Sequence, residues 1–313
     1  MTSGSIPEAL PKTMQAVRLH AARGVDGLDY EHVETPRPGE DEVLVRVVAA
    51  AITRGELDWP VDRLPATPSY EFSGTVAALG SGVAEPTIGD PVYALSGFAR
   101  DGAAADFVTV PASVLAPKPA ALDHVQSAAL PLPALTAWQG LFDRGQLEEG
   151  QRVLISGAAG GVGHRAVQLA RGRGAYVIGT ASAAKLETVR NNGANEVLDA
   201  ADFTDPREPV DLVFDTVGGD FLQRSPELLR AGGRLISISG DPSELPPEDG
   251  IHAEYFVVEP NRDQLSAIAG LAENGALIPA IDSVFPLSQA RAAFARSMER
   301  NTRGKVILKV SGD

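Results

Sequence analysis

The residues with the clearest chemical potential lie in one short stretch, Arg152–Gly163, which reads RVLISGAAGGVG. The stretch opens on an apolar run of strand type, continues through a turn of small residues and leads into a helical pattern of apolar residues. Strand, glycine turn and helix in this order form the context in which a dinucleotide fingerprint carries weight. The spacing is Ala158-x-Gly160-x-x-Gly163, with Ala where the first Gly of the fingerprint usually stands.

Each glycine in this turn has a physical reason if the turn binds a nucleotide. A side chain at Gly160 would obstruct the approach of the backbone to a pyrophosphate, and Gly163 lets the helix pack close to the strand. The free N–H groups and the dipole at the helix start favour a diphosphate. Small residues also make ordinary tight turns, so the flanking strand and helix decide the interpretation. The predicted cofactor contacts here are Ala159, Gly160, Gly161, Val162 and Gly163.

The end of the second strand of this pattern bears on the choice of nucleotide. An NAD site typically places an acid about 20 residues beyond the turn, on the ribose hydroxyl. Here Ser182 takes that place and Lys185 follows it, without an acid between them. A hydroxyl and an ammonium can bind a 2′-phosphate, which a carboxylate would repel. The sequence therefore predicts NADPH. Alternatively, Ser182 caps the next helix and Lys185 is solvated, and the two roles are compatible.

Composition narrows the class of protein. The chain has 313 residues, a length that is comfortable for two domains, and a formal net charge of -14 without a Lys/Arg-rich run. This charge argues against nucleic acid and anionic membrane surfaces as partners. The amino-terminal segment lacks an apolar core, and no apolar run reaches the roughly 18 residues of a membrane span. Cysteine is absent, which excludes disulfides and thiolate zinc sites. We expect a cytoplasmic protein.

The order of elements predicts an α/β protein with two domains. Short strand-like runs with frequent Gly and Pro fill the first part, as in an antiparallel barrel. From about residue 124 strands alternate with helices, which is typical of a doubly wound parallel sheet. The pattern includes predicted helices at Thr136–Phe142 and Phe221–Arg230 and a last strand at Tyr255–Val258. The expected division is a leader at 1–12, a first domain at 13–130 with 275–313, and a second at 131–274.

Several separate motifs point to one family. They are GAAGGVG at 157–163, ALPLPALTAW at Ala129–Trp138, FDTVGG at Phe214–Gly219 and RGKVI at Arg303–Ile307. In this order, over nearly the whole chain, the sequence resembles the medium-chain dehydrogenase/reductase superfamily, with the closest likeness to its zinc-free quinone oxidoreductase-like branch. The resemblance implies a GroES-like β-barrel domain built from both ends of the chain and a Rossmann domain between them.

The same resemblance implies further cofactor contacts and an oligomeric state. It places Thr136 near the nicotinamide and suggests contacts from Thr216, Val217, Gly218, Ser239, Gly240, Phe256 and Val257. Taken locally, each of these residues could equally be strand-end packing. One departure is that Asp199 is followed by Ala200, where many relatives have a Tyr near the 2′-phosphate. Relatives are often dimers through the last Rossmann strand, so we expect a homodimer through residues 251–258.

The resemblance also bears on metal binding. The zinc-dependent alcohol dehydrogenases of the superfamily hold a catalytic metal on Cys, His and Cys, and the matching positions here carry Thr53, Tyr70 and Leu132. Glu71 remains beside the position of the missing His. The hydroxyl that relays protons in those enzymes corresponds to Gly55 here, and the cysteine-rich lobe that binds their structural zinc is missing. Hydroxyls and an aliphatic chain make no tight zinc site. We expect no metal.

Without a Lewis acid, the hydride acceptor must itself spread the arriving charge, as quinones and α,β-unsaturated carbonyls do. Tyr70 and Thr53 are the predicted catalytic residues, because their hydroxyls could bind a substrate oxygen or supply a proton. Alternatively, Tyr70 fills the space left by a metal and His, and Thr53 is a structural strand-end residue. The expected activity is NADPH-dependent, zinc-independent reduction of a quinone or enone. The alternatives are a biosynthetic reductase that couples hydride addition to cyclisation, and a non-catalytic NADPH-binding protein.

Overall fold

The computed structural model describes residues 10–60, 62–201, 206, 208–245, 250–299 and 301–312, so most of the expected leader lies outside the described residues. The described chain forms two compact units. The first contains the residues up to Lys118, with Asp123–Ala129 and the residues from Asp282 onward. The second contains Pro119–Leu122 and Leu130–Ile281.

The carboxyl-terminal division between the units lies after residue 281, later than the expected 274/275. The segment that follows the last helix of the second unit explains this difference. Leu277 in that segment is buried, and the backbone N–H of Ile278 donates to Gln168 Oε1 at 3.0 Å. These contacts hold the segment to the second unit before the chain returns to the first.

The first unit is built from antiparallel strands joined by Gly- and Pro-rich turns. Before the chain enters the second unit at Leu130, the elements of the first unit are β1 (Thr13–Leu19), β2 (Leu28–Glu34), β3 (Glu42–Ile52), β4 (Glu71–Leu79), β5 (Pro91–Leu95), β6 (Phe107–Pro111), β7 (Ala116–Pro117) and α1 (His124–Ala128). Strand β2, whose residues are mostly exposed or half-buried, was not predicted. Helix α1 begins with a capping box between Asp123 and Gln126, which satisfies its first N–H groups.

The second unit alternates helices and parallel strands. Its elements are α2 (Pro131–Trp138), β8 (Arg152–Ile155), α3 (Gly161–Gly172), β9 (Tyr176–Ala181), α4 (Leu186–Asn191), β10 (Glu196–Asp199), β11 (Val210–Asp215), α5 (Gly219–Arg224), β12 (Leu229–Ser237), β13 (His252–Tyr255) and α6 (Arg262–Glu273). Among the described residues the sheet has six strands in the order β10-β9-β8-β11-β12-β13. The strand order reverses between β8 and β11, where doubly wound sheets bind ligands. No helix in the described part of the chain is long and apolar enough to cross a membrane.

The end of the chain completes the first unit. It contributes β14 (Ile281–Pro286), α7 (Ala290–Met298) and β15 (Lys305–Lys309). Within the described residues the larger sheet runs β14-β15-β3-β4-β5-β7, and β6 also pairs with β3. The predicted fold class is therefore confirmed: a Rossmann-type parallel sheet accompanies a GroES-like barrel assembled from both ends of the chain.

Two predicted helices have different limits in the structure. The helix expected at Thr136–Phe142 begins earlier, at Pro131, because Pro is well tolerated in a first helical turn, and a π-helical turn follows it at Gln139–Arg144. The helix expected at Phe221–Arg230 ends at Arg224. Pro226 has no N–H to continue the helix, and β12 begins three residues later.

The last strand of the parallel sheet also differs from its prediction. It covers His252–Tyr255 rather than Tyr255–Val258, and it pairs in parallel with β12 at the edge of the sheet. Tyr255 and the following Val257 expose large apolar side chains. The homodimer expected through this segment stays a prediction.

A neutral histidine is half-buried on α3. Asn192 Nδ2 lies 2.6 Å from His164 Nδ1, and the carbonyl oxygen of Ile278 lies 3.3 Å from its Nε2. Burial, assisted by the charge of Arg165, lowers the pKa of His164 to about 4. The ring is therefore neutral at physiological pH and links α3 to the residues after α4 and α6.

This histidine makes the stability of the protein depend on pH. The unfolded chain binds a proton at an ordinary histidine pKa of about 6.5, whereas folded His164 binds it only near pH 4. The contribution of neutral His164 to the stability of the fold is complete above about pH 6.5 and is lost as the pH falls towards 4. We predict a loss of about 2 kcal/mol in the free energy of unfolding between pH 7 and pH 5. Denaturant titrations at both pH values measure it.

The variant H164Q, which cannot titrate, should lose this part of the pH dependence, and H32Q at an exposed position should keep it. An unchanged slope in H164Q would show that other groups cause the acid sensitivity.

Candidate functional site

Three buried polar side chains meet where adjacent parallel strands end. Ser156 follows β8, Asp215 ends β11 and Ser237 ends β12, and each is 0% exposed. The Ser156 hydroxyl donates to Asp215 Oδ1 at 2.7 Å, and the Ser237 hydroxyl donates to Oδ2 at 3.0 Å. We call Ser156, Asp215 and Ser237 the strand-end cluster.

The strand-end cluster also holds the loops that follow the strands. Asp215 Oδ1 accepts from the backbone N–H groups of Val217 and Gly218 at 3.0 and 3.1 Å. The Ser156 hydroxyl oxygen accepts from the N–H of Thr216 at 2.7 Å. The Ser237 oxygen accepts from the N–H groups of Ser239 and Gly240, at 3.2 Å each. The loops after β11 and β12 are thus fixed by the same three side chains.

The glycine turn after β8 has the geometry that its residues predict. Gly157 has φ +58°, in the left-handed region that favours glycine. A Cβ at Gly163 would lie 2.3 Å from the carbonyl oxygen of Gly157, so only glycine lets α3 approach the turn this closely. A Cβ at Gly160 would lie 3.1 Å from the same oxygen, and one at Gly161 would meet nothing within 4 Å.

A cavity of about 690 Å³ opens at the carboxyl ends of these strands. Its wall consists of Ser156, Gly157, Thr180, Ala181, Ser182, Ala200, Ala201, Val217, Gly218, Asp220, Phe221 and Arg224. Most of these residues are small or contribute backbone, and the cavity volume lies within the range of ligand sites. The left-handed Gly157, the fixed loop N–H groups and the position at the reversal of strand order fit a dinucleotide cofactor.

The structure brings some predicted cofactor residues to this cavity. Ser182, Val217 and Gly218 line it. The wall, as far as the described residues define it, does not include Thr136, Ala159, Gly160, Gly161, Val162, Gly163, Lys185, Thr216, Ser239, Gly240, Phe256 or Val257. The Thr136 hydroxyl donates to the carbonyl of Leu132 in its own helix, at 2.7 Å. Cofactor contacts from this second group stay predictions.

Arg224 is a wall residue that sequence reasoning missed. It lies on α5 four residues after Asp220, so the two share one face of the helix, and both line the cavity. The sequence argument looked for a cation only beside Ser182, where it found Lys185. The helical spacing after the Val217–Gly218 turn could have indicated Arg224, because it places this residue on the same helix face as Asp220, near the strand ends.

A second polar group lies in the first unit, where strand register brings distant residues together. Strand β3 pairs with β4 at Ala51 and Glu71, and with β15 at Ile52 and Val306. Lys305, at the start of β15, therefore lies beside Thr53 and Glu71. Its ammonium donates to Thr53 Oγ1 at 2.9 Å and forms an ion pair with Glu71.

This arrangement engages the predicted catalytic residue Thr53. Its hydroxyl accepts from the Lys305 ammonium and donates to Glu71 Oε1 at 3.3 Å. Glu71 is fully buried and Lys305 nearly so. The Thr53 hydrogen is directed to Glu71, so in this state Thr53 is not a free donor. We call Thr53, Glu71 and Lys305 the ion-pair cluster.

Tyr70, the other predicted catalytic residue, is fully buried. Arg63 Nη2 donates to its phenol oxygen at 3.0 Å, and also to the carbonyls of Phe98 and Arg100 at 3.0 and 2.6 Å. Burial raises the pKa of Tyr70 to about 12, although the charge of Arg63 acts in the opposite direction. Because a guanidinium accepts no hydrogen bond, this contact leaves the phenol hydrogen available to donate elsewhere.

An aromatic cluster surrounds this phenol. The ring centroids of Trp59, Tyr70 and Phe98 are 5.1 to 5.6 Å apart, within the range of favourable aromatic pairs. Trp59 is 40% exposed, whereas Tyr70 is covered. The cluster fixes the Tyr70 ring, while Arg63 fixes its oxygen.

The possible metal ligands are dispersed. No group of three or more His, Cys, Asp or Glu side chains suited to a metal occurs in the part of the chain that the structure describes. The histidines have other partners: His20 lies near Glu31, His32 near Gln15, His124 near Ser73, His164 near Asn192 and His252 near Glu254. Leu132, at the third former ligand position, is buried on α2.

Known proteins share this organisation. Residues 39–120 match the alcohol dehydrogenase GroES-like domain family, and residues 192–308 match the zinc-binding dehydrogenase family. An NADPH-dependent alkenal/one oxidoreductase of Arabidopsis thaliana is 33% identical over 96% of this chain and 80% of its own length. A probable zinc-binding oxidoreductase of Arthroderma benhamiae is 34% identical over 96% of this chain and 98% of its own. The quinone oxidoreductase structure from Coxiella burnetii superposes with a TM-score of 0.86, at 28% identity, over 96% of this chain and all of that one.

These matches and the fold define the class of protein. The chain belongs to the medium-chain dehydrogenase/reductase superfamily, in its quinone oxidoreductase-like branch, and is an oxidoreductase of that nicotinamide-dependent family. The predicted family is thereby confirmed.

The glycine turn offers a matched pair of substitutions. G163A should destabilise the protein, because the new methyl group would lie 2.3 Å from the Gly157 carbonyl oxygen and force α3 away from the turn. We expect a loss of about 1–3 kcal/mol, as for overpacked sites. G161A meets no atom within 4 Å and should change stability by less than about 1 kcal/mol. Denaturant unfolding measures both variants, and equal losses would contradict this account of Gly163.

Proposed function

We propose that this protein is an NADPH-dependent reductase of quinones and α,β-unsaturated carbonyls that works without a metal. The donor set of the first unit carries the proposal. Two of the positions that match zinc ligands in the related alcohol dehydrogenases carry Thr53 and Tyr70. The Thr53 hydroxyl is bound by the Lys305 ammonium, and Tyr70 is a neutral phenol. Such groups donate hydrogen bonds but do not replace thiolate and imidazole ligands. The activities in the names of the Arabidopsis and Coxiella relatives agree with this chemistry.

The proposed reaction divides the work between cofactor and protein. A bound nicotinamide would supply a hydride. A conjugated acceptor would take it at carbon and spread the electron pair to its carbonyl oxygen, and a proton from solvent would complete the reduction. A hydrogen-bond donor then suffices where a simple ketone would need a Lewis acid. We assign this role to Tyr70: its oxygen accepts from Arg63, which leaves its hydrogen to donate to the developing oxyanion. The positive charge of Arg63 strengthens the donation.

The cavity of the second unit supports NADPH as the cofactor. Ser182, at the end of β9, supplies a hydroxyl, and Arg224 supplies a guanidinium in the same wall. A guanidinium binds phosphate oxygens through charge-assisted hydrogen bonds. Asp220 is also in the wall, one helical turn before Arg224, and this spacing places the two opposite charges on one face of α5.

Cofactor binding tests this assignment. We expect the wild type to bind NADPH more tightly than NADH by calorimetry. R224A and S182A should weaken NADPH binding about 10- to 100-fold, because each loses a hydrogen bond to a charged group, and should leave NADH binding nearly unchanged. K185A shows whether that lysine also contributes, and R171A, at an exposed residue of α3, is the control. Equal affinities of the wild type for both cofactors would contradict the preference.

Turnover tests the role of Tyr70. In Y70F, kcat for quinones and enones should fall about 10²-fold or more, because the hydrogen-bond donor to the oxyanion is lost while the ring still fills its space. The affinity for NADPH should not change. Y93F, at a second fully buried tyrosine of the same unit, is the matched control. If Y70F keeps the wild-type kcat, Tyr70 has only a packing role. If the wild type binds NADPH but reduces none of the quinones and enones tested, a non-catalytic protein is favoured.

A further inference from the structure

Glu56 is a buried acid that the proposed reaction does not use. Gly55, at φ +83°, reverses the chain after Thr53 and turns Glu56 inward, where it is 1% exposed. The Ser69 hydroxyl lies 3.5 Å from its Oε1, and the backbone amides of Thr53 and Ser69 are its other polar neighbours. The second oxygen, Oε2, is buried without a hydrogen-bond partner.

The charges around Glu56 do not balance if it is ionised. The groups that act on it are the Lys305 ammonium, which attracts, and the Glu71 carboxylate, which repels. Tyr70 also lies within reach of the charge of Glu56, and Arg63 and Asp101 are the other charged groups that act on its phenol. Lys305 already serves Glu71 and Thr53. Two buried carboxylates would therefore share one ammonium.

A proton on Glu56 resolves this imbalance. Removing a carboxylate from water costs several kcal/mol unless a partner compensates it, and the unpartnered Oε2 has none. Burial, reinforced by Glu71, raises the pKa of Glu56 to about 8. At neutral pH the group thus consists of a neutral acid, one carboxylate and one ammonium.

We propose that Glu56 is a positioning residue of the reductase, which as a neutral acid keeps the Lys305 ammonium on Thr53 and Glu71. This inference rests on the proposed function. Loss of the proton to solvent makes Glu56 a competitor for the ammonium, draws Lys305 from Thr53 and releases the Thr53 hydroxyl. It also places a negative charge near Tyr70, where the substrate oxygen becomes negative. The alkaline form should therefore reduce substrate more slowly.

The pH profile of the holoenzyme tests the effect on turnover. With saturating NADPH, kcat of the wild type should fall at least about tenfold as the pH rises through about 8, while KM for NADPH stays constant. E56Q, which has the same shape and cannot ionise, should lack this alkaline limb. E56D should restore an alkaline limb, and E85Q, at an exposed position, should keep the wild-type profile. An alkaline limb that persists in E56Q overturns the proposal.

Two spectroscopic measurements decide the proposal without turnover. Infrared spectra of the wild type at pH 7 should contain a protonated-carboxyl band that disappears above pH 8 and is missing in E56Q. The ammonium nitrogen of Lys305, followed by NMR on ¹⁵N-lysine protein, should shift with the same midpoint. The NMR titration uses the wild type alone, so it applies even if E56Q fails to fold. Absence of either transition overturns the inference, whereas both transitions in a protein that reduces no quinone or enone would refute only the proposed function.

Discussion

The cavity wall of the second unit depends on one buried carboxyl side chain, that of Asp215. A charge removed from water is tolerated only when donors surround it, and this one receives two hydroxyls and the N–H groups of its own turn. The same hydroxyl oxygens accept from the loops after β11 and β12. The cost of burying Asp215 is thus offset by contacts that also shape the cavity wall, so the loops cannot move without leaving a charge unsatisfied.

The first unit uses a different arrangement for a similar purpose. There an ammonium compensates the buried Glu71 carboxylate, and it lies on β15, which pairs with β3. A second acid, Glu56, lies within reach of its charge and has an oxygen without a partner. An arrangement with fewer donors than acceptors can be completed by a proton, which is the role proposed for the proton on Glu56.

Sequence reasoning was strongest where function follows from local spacing. The glycine turn and Ser182 could be predicted because strand, turn and helix are contiguous, whereas Val217 and Gly218 were predicted from the family resemblance. The structure brings Ser182, Val217 and Gly218 to one cavity. Family motifs led to Thr53 and Tyr70, but not to their neighbours. Lys305 lies in the RGKVI motif, but no role was predicted for it, because its contact with Thr53 depends on the pairing of β15 with β3. Glu56 and Arg224 were missed for the same reason: their surroundings come from other segments. Helix limits failed where a single Pro decided them, as at Pro131 and Pro226.

The return of the chain to the first unit has a consequence for biosynthesis. The second unit is nearly continuous in sequence, and its last residue, Ile281, is also the first residue of β14. During translation its parallel sheet can form while β14 and β15 are still unmade, since domains generally fold as units during synthesis. The first unit begins earlier and ends later. Until Lys305 is added, Glu71 lacks its ion pair with that residue, so a contact of β4 is completed only after β15 has been made.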